Sequence, residues 1–195
     1  MSPLISMAAF ALACSISPGP VNIVALSSGA QFGFFASLRH VSGATLGFTL
    51  LLLLIGLGLH EVLNWVPFLT LIIQWAGVAF LLFLAYKLAV DDGSLGAGKS
   101  LKAPSFMYGA LMQWLNPKAW LASLAGMGAY ASRGDDRLIW TFTAVYFVIC
   151  YVSIACWAYA GNSLRGYLQV PARVRVFNRS MALLLAGSAV YLLAA

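Results

Sequence analysis

The stretch SPGPVN, residues 17–22, places three helix breakers in the middle of a long apolar run. Pro18 and Pro20 each lack a backbone N–H and clash with the preceding turn, which costs roughly 3 kcal/mol inside a helix. Gly19, which lies between them, is also a poor helix former. The sequence therefore predicts that the first hydrophobic helix is broken at this point.

The composition indicates an integral membrane protein. Of the 195 residues, 62% are apolar and only 8% are charged, whereas a soluble domain carries about 25% charged residues. Runs such as LGFTLLLLLIGLGL, residues 46–59, are continuously apolar and do not alternate. Continuous runs favour spanning helices over the strands of a barrel. We therefore predict an all-α protein with a single transmembrane domain over residues 1–195.

Six apolar segments are long enough to cross a bilayer of about 30 Å, which takes about 20 helical residues. They are residues 3–28, 41–59, 68–90, 104–130, 138–161 and 177–195. The polar, glycine-rich linker 91–104 divides the chain into residues 1–90 and 105–195, with three spans each. Because the number of spans per half is odd, two repeated halves would have to be inverted repeats.

The second half contains a similar break, at Asn116-Pro117-Lys118 in the fourth span. A broken helix exposes N–H groups where one half-helix begins and carbonyl groups where the other ends. The first attract anions and the second attract cations. Two breaks that meet near the middle of the membrane would therefore form a pocket for a zwitterion, of which an amino acid is the obvious example.

Lys118 is the only formal charge that we predict deep within a span. A Lys at that depth costs at least about 2.5 kcal/mol, so it is a candidate for function. It would hold a substrate carboxylate or change protonation during transport. In the alternative interpretation it extends to a membrane interface or neutralises a helix C-terminus.

The predicted substrate site consists of the two breaks and the amide side chains beside them. Its residues are Pro18, Gly19, Pro20, Asn22, Gln113, Asn116, Pro117 and Lys118. Two further pairs have the spacing of small residues that lets membrane helices pack closely. These predicted packing residues are Gly29, Gly33, Gly43 and Gly47.

The sequence predicts no metal site and no other cofactor, because the three cysteines lack any ligand spacing. None of the acidic residues falls within a predicted span. A proton or sodium gradient is left open as the driving force, and a coupled proton would have to be carried by His40, Lys118 or Glu61, or else by the charge of the substrate itself.

Basic residues predict the orientation of the chain. Eight of them lie on one predicted side: Arg39, Lys87, Lys99, Lys102, Arg165, Arg173, Arg175 and Arg179. The positive-inside rule makes this side, with the linker 91–104, cytoplasmic and places both termini outside the cytoplasm. The same residues are scattered over several loops, which argues against a nucleic-acid partner.

Residues 17–48, SPGPVNIVALSSGAQFGFFASLRHVSGATLGF, resemble the opening signature of the LysE/RhtB family of amino-acid exporters. The stretch LNPKAWL, residues 115–121, is similar to the second-half signature of that family. The resemblance covers essentially the whole chain. It implies secondary-active export of amino acids from the bacterial cytoplasm across the inner membrane, by alternating access, as a monomer or a homo-oligomer.

Within that family, IVALSS at residues 23–28 is most similar to members that export cysteine and O-acetylserine. Many members have an acidic residue shortly after Pro-Gly-Pro, where this chain has Asn22. The resemblance therefore implies a small neutral substrate of the cysteine, O-acetylserine, threonine or homoserine type. Two alternatives remain open: an exporter of basic amino acids, and a membrane-anchoring or assembly subunit without transport activity. An enzyme is not expected, because the sequence has neither HExxH, nor GxSxG, nor paired carboxylates within a span.

Overall fold

The computed structural model describes residues 3–59, 67–90, 103–131 and 136–194, and the regular structure in these ranges is helical. The helices are α1 (Pro3–Ile16), α2 (Pro20–Phe32), α3 (Phe34–Leu54), α4 (Pro67–Ala89), α5 (Phe106–Trp114), α6 (Pro117–Tyr130), α7 (Asp136–Leu164) and α8 (Pro171–Ala194). A π-helical turn, Ile55–Leu59, follows α3, and a 3-10 turn, Tyr167–Gln169, precedes α8. The predicted all-α class is confirmed for the described residues.

The first predicted break lies between α1 and α2, whose axes differ by 62°. Pro20 is the first residue of α2, where a missing N–H removes no helical hydrogen bond. Gly19 caps α2 in an extended conformation. The chain therefore turns at Pro-Gly-Pro because the second proline starts a new helix.

The second predicted break lies between α5 and α6. Pro117 is the first residue of α6, as Pro20 is of α2. Asn116 caps α6, because its side-chain oxygen accepts the backbone N–H of Lys118 at 3.2 Å. The two breaks thus end one helix and start the next by the same device, a proline at the first helical position.

Length and hydropathy identify fewer spans than the six that the sequence predicts. Within the described ranges, Phe34–Gly58 and Asp136–Leu164 each meet the criterion for a membrane-spanning helix, and α1 with α2 meets it as one bent pair. The break at Asn116-Pro117 divides 104–130 into helices of 9 and 14 residues, each too short to cross a bilayer alone. The predicted spans 68–90 and 177–195 include side chains outside the described part of the chain, so the criterion does not test them.

Apolar side chains cover the outside of the long helices. Leu46, Leu50 and Leu54 lie on one face of α3 and are exposed, and so are Val148 and Val152 on α7. A soluble helix carries polar residues on such a face. Apolar outward faces are the arrangement of a helix bundle whose solvent is lipid, which supports an integral membrane protein.

Helices α2 and α7 cross where glycine allows their backbones to touch. A Cβ atom added at Gly29 would overlap the carbonyl oxygen of Ala158, and one added at Gly161 would overlap that of Leu26. Because the clashing atoms belong to the backbone, a side chain at either position would push the helices apart. Close crossings at small residues are typical of helix packing in membranes.

Helices α3 and α5 cross in the same way. A Cβ atom at Gly43 would overlap the carbonyl oxygen of Phe106, and one at Gly47 would lie 2.7 Å from the Cα atom of Ala110. On the facing helix, a Cβ atom at Gly109 would overlap the carbonyl oxygen of His40. This crossing fixes the helix that leads into the second break.

Gly33 departs from the packing role that its spacing from Gly29 predicts. It lies between α2 and α3, with φ of 89° and ψ of 167°, a conformation found almost only in glycine. The side-chain oxygen of Asn162 accepts the backbone N–H of Phe34 at 3.3 Å beside this turn. Since α2 ends at Phe32, Gly33 joins two helices and does not lie on a helix face.

The long helices α3 and α7 pack against each other, α1 packs on α7, and α5 packs on α3. Helix α4 packs against α8. Each broken helix is therefore held by the long helix of the other half of the chain.

Candidate functional site

Lys118 joins the two helix breaks directly. Its Nζ atom donates to the carbonyl oxygen of Ser17 at 3.0 Å and to the hydroxyl oxygen of Ser17 at 2.7 Å. The carbonyl oxygen of Pro18 also accepts from it, at 3.4 Å. Ser17 and Pro18 lie in the first break, whereas Lys118 belongs to the first turn of α6. The ammonium group of one half of the chain therefore binds the carbonyl end of a helix in the other half.

This contact bears on the interpretations that the sequence leaves open for Lys118. The charge does neutralise a helix C-terminus, but that helix is α1, about one hundred residues away in the chain. In this conformation the partners of the ammonium are carbonyl and hydroxyl oxygens. The carbonyl end of a helix carries partial negative charge, so it is a suitable partner for a half-buried cation.

The other carbonyl groups at the end of α1 also have donors from the protein. The Nδ2 atom of Asn22 donates to the carbonyl oxygens of Ser15 at 2.8 Å and Ser17 at 2.9 Å. The indole N–H of Trp157 donates to the carbonyl oxygen of Ile16 at 3.0 Å. We expected the carbonyl groups at the end of α1 to be free to bind a cation. In this conformation they accept hydrogen bonds from side chains of the protein instead.

Two buried amides form the corresponding polar group at the second break. Asn116 uses its oxygen to cap α6 and donates from Nδ2 to the Oε1 atom of Gln113 at 3.3 Å. The indole N–H of Trp120 donates to the carbonyl oxygen of Trp114 at 2.8 Å, at the end of α5. The second break is thus held by side chains that lie next to it in the sequence.

Between the breaks lies a cavity that is partly open to the surroundings. Its lining residues are Cys14, Ser15, Gly19, Val21, Asn22, Phe48, Gln113, Asn116, Lys118, Ala119, Ala122, Tyr146, Cys150 and Ile154. Among these residues Lys118 is the only one with a formal charge, and none is a carboxylate.

The structure brings most of the predicted site residues to this cavity. The residues that line it are Gly19, Asn22, Gln113, Asn116 and Lys118. The three prolines do not line it: Pro18 is exposed, while Pro20 and Pro117 are buried in the first turns of α2 and α6. The prolines set the backbone direction and leave the contacts with a ligand to their neighbours.

The sequence reasoning missed one side of the cavity. Cys14 and Ser15 belong to the last turn of α1, and Tyr146 and Cys150 lie one turn apart on α7. The ring of Tyr146 packs on the ring of Phe48, with 4.5 Å between centroids. The spacing of Tyr146 and Cys150 does place them on one helix face, but no signal in the sequence shows that this face borders a cavity.

His40, a sequence candidate for carrying a proton, lies behind the first break. It is fully buried in α3, and its Nε2 atom is 3.3 Å from the carbonyl oxygen of Val21 in the first turn of α2. His40 does not line the cavity. Glu61, the other candidate besides Lys118, lies outside the described residues.

Replacing Asn22 with Ala is expected to destabilise the protein by about 1–3 kcal/mol, because two carbonyl groups lose their side-chain donor. Thermal unfolding of the purified protein in detergent measures this. The control is Asn162→Ala, which removes one longer bond, 3.3 Å, and should cost less. Equal melting temperatures for Asn22→Ala and the wild type would show that Asn22 does not hold the break.

A bundle of apolar helices, with two broken helices that meet at a cavity lined by one cationic side chain, has the features expected of a membrane translocator. The comparison with known proteins agrees. The chain belongs to the family of LysE type translocators, whose family model matches residues 12–195. Membership places the chain among transporters and not among enzymes.

Curated relatives align over almost the whole chain. It is 29% identical over 196 residues to the cysteine/O-acetylserine efflux protein of Shigella flexneri serotype 5b, with 98% of this chain and 96% of the relative covered. It is 29% identical over 185 residues to the cysteine/O-acetylserine efflux protein of Escherichia coli K12, with 93% and 91% covered. No solved structure matches the chain.

Proposed function

We propose that the protein exports small neutral amino acids from the bacterial cytoplasm, with cysteine and O-acetylserine as the leading substrates. The observation that carries the proposal is the bond between Lys118 and Ser17 beside the cavity. It places one cation and a set of helix-end carbonyl groups next to each other, which are the two partners that an amino-acid zwitterion requires. The names of the curated relatives favour the same substrates.

In the proposed binding mode, the hydrogen bonds between Lys118 and Ser17 are replaced by bonds from each of these residues to the substrate. The substrate carboxylate accepts hydrogen bonds from the Nζ atom of Lys118. The positive N-terminal ends of α2 and α6, whose caps Gly19 and Asn116 line the cavity, stabilise the same carboxylate. The substrate ammonium then binds the carbonyl groups of Ser17 and Pro18 that Lys118 has left. Binding therefore separates the two breaks, and this separation starts the change of access.

The proposal includes six spans arranged as two inverted repeats, residues 1–90 and 105–195. In support, α1 to α4 and α5 to α8 follow the same order: a broken pair, a long helix and a further helix. The long helices α3 and α7 pack together, and so do α4 and α8. Alternating access is then the movement of one half against the other around the cavity. By the positive-inside rule, the basic residues place the linker 91–104 in the cytoplasm. Residues 91–102 of this linker lie outside the described residues.

The composition of the cavity favours this function over both alternatives. A basic amino acid would bring a second cation next to Lys118, and the lining residues offer it no carboxylate. A subunit that only anchors a complex would have no use for a cavity with a half-buried Lys, which is costly in a membrane. A neutral amino acid brings one carboxylate to pair with Lys118 and no charged side chain that would need a second partner.

Transport by purified protein in liposomes tests the proposal. We expect exchange of labelled cysteine, O-acetylserine, threonine or homoserine at rates well above those of lysine and arginine. Imposed proton and sodium gradients, applied separately, identify the driving ion as the one that accelerates uptake. Liposomes that move none of these amino acids, or that move lysine fastest, would refute the proposed function.

A further inference from the structure

One side of the cavity carries only uncharged polar and aromatic groups. Cys14 and Ser15 come from the end of α1, and Tyr146 and Cys150 come from α7. The side chains of Cys14 and Ser15 adjoin the phenol of Tyr146, and Ser15 also adjoins the thiol of Cys150. We refer to these four residues as the thiol–hydroxyl wall.

Ser15 is the unusual member of this wall. Its hydroxyl oxygen is buried beside the Tyr146 phenol and the Cys150 thiol, but within the described part of the chain no donor or acceptor completes hydrogen-bond geometry with it. Buried polar atoms are nearly always paired with protein, water or a ligand, so an unpaired one at a cavity suggests a ligand group. A hydroxyl both donates and accepts, so it can bind a thiol, a hydroxyl or an ester oxygen.

The position of the wall fits a short side chain. Ser15 lies two residues before Ser17, whose carbonyl and hydroxyl oxygens bind Lys118. Asn22 binds the carbonyl groups of both serines, which keeps this turn of chain together. Two helical residues rise only about 3 Å, so an amino acid held at Ser17 reaches Ser15 with a side chain of a few atoms. Cysteine thiols and the Tyr146 ring are favourable surroundings for sulfur.

We propose that the thiol–hydroxyl wall binds the side chain of the transported amino acid and selects a thiol, hydroxyl or ester oxygen on its β-carbon. This inference rests on the proposed function, since it assigns the α-amino and α-carboxyl groups to Ser17, Pro18 and Lys118. Ser15 is the residue that recognises the polar side-chain atom. Alanine and 2-aminobutyrate lack that atom, cannot form a hydrogen bond with Ser15 and are poorer substrates.

The test compares substrate pairs that differ in one polar group: serine with alanine, and cysteine with 2-aminobutyrate. In liposomes, Ser15→Ala is expected to lower kcat/KM for serine and cysteine about three- to tenfold, the usual effect of one neutral hydrogen bond. For alanine and 2-aminobutyrate the change should stay within about twofold. The matched control is Ser123→Ala, because Ser123 is also buried and unpaired among the described residues but lies outside the cavity.

Two results would overturn the inference while wild-type transport is intact. An equal loss of kcat/KM for all four substrates would mean that Ser15 stabilises the helix and does not bind the substrate side chain. Unchanged kinetics for all four would mean that the side chain lies elsewhere. A wild-type protein that moves no amino acid is a different result, because it refutes the proposed function and this wall together.

Alkylation of the cysteines gives a second test that needs no substitution at Ser15. Cys14 and Cys150 line the cavity, whereas Cys156 is exposed outside it. O-acetylserine is expected to slow the reaction of Cys14 and Cys150 with a small uncharged maleimide and to leave Cys156 unchanged. Equal rates with and without O-acetylserine at all three cysteines would contradict the proposed wall.

Discussion

Replacing Lys118 with Met is expected to reduce amino-acid transport at least about 30-fold while the protein still folds in the membrane. The substitution removes the only charged side chain among the residues that line the cavity. Both the bond to Ser17 and the partner of the substrate carboxylate would be lost. Loss of a buried charged partner costs about 2–5 kcal/mol in binding, and 1.4 kcal/mol is a factor of ten. The measurement is the initial rate of uptake into liposomes, with size-exclusion profiles in detergent as the check on folding.

Two further variants separate the role of the charge from its position. Lys118→Arg keeps a cation at the cavity and is expected to retain part of the activity. Lys87→Met removes an exposed Lys whose ammonium lies 5.4 Å from the centre of the Phe83 ring, and it should transport like the wild type. If Lys118→Met carried substrate at the wild-type rate, Lys118 would serve only to neutralise the end of α1.

Replacing Gly43 with Ala is expected to destabilise the protein strongly. The added methyl group would overlap the carbonyl oxygen of Phe106, and a backbone atom cannot move aside as a flexible side chain can. Overpacking of this kind costs about 1–3 kcal/mol, occasionally more. We also expect transport to fall, because α5 leads into the break that carries Asn116 and Lys118.

Thermal unfolding in detergent measures the effect at Gly43, and the chain offers a matched control. Gly128 lies in α6, and a Cβ atom added there meets no atom within 4 Å. Gly128→Ala should therefore leave stability unchanged or raise it slightly, since Ala is the better helix former. If Gly43→Ala melted at the same temperature as Gly128→Ala, α3 and α5 would not cross as closely as described.

The breaks were predictable from the sequence because their cause is local. Pro18, Pro20 and Pro117 each lack an N–H and clash with the preceding turn, so a break close to the ends of α1 and α5 is favoured by the covalent structure of proline. The all-α class follows equally directly from continuous apolar runs. Cavity residues next to the breaks, such as Asn22 and Asn116, were predictable for the same reason.

The partners across the bundle were not predictable, because they depend on how distant segments pack. The bond from Lys118 to Ser17 joins residues on opposite sides of the central linker. Gly161, which faces α2, belongs to no small-residue pair that the sequence reasoning recognised. Tyr146 and Cys150 look like ordinary residues of an apolar helix, since only the position of α7 brings them to the cavity.

Gly33 shows a different limit of sequence reasoning. Its spacing of four from Gly29 is the same whether the two share a helix face or the second ends the helix. A positive φ decides between these possibilities, and it is a property of the folded backbone. The proposed fourth span meets a similar limit, because a length and hydropathy criterion does not identify the short helices α5 and α6 as one span.

We propose that the two helix breaks together form one amino-acid site. An electron cryomicroscopy structure with O-acetylserine bound tests it most directly. We expect ligand density in the cavity between Gly19 and Asn116, with the Nζ atom of Lys118 on the ligand carboxylate and no longer on Ser17. Ligand density elsewhere, with Lys118 still bonded to Ser17, would contradict the account.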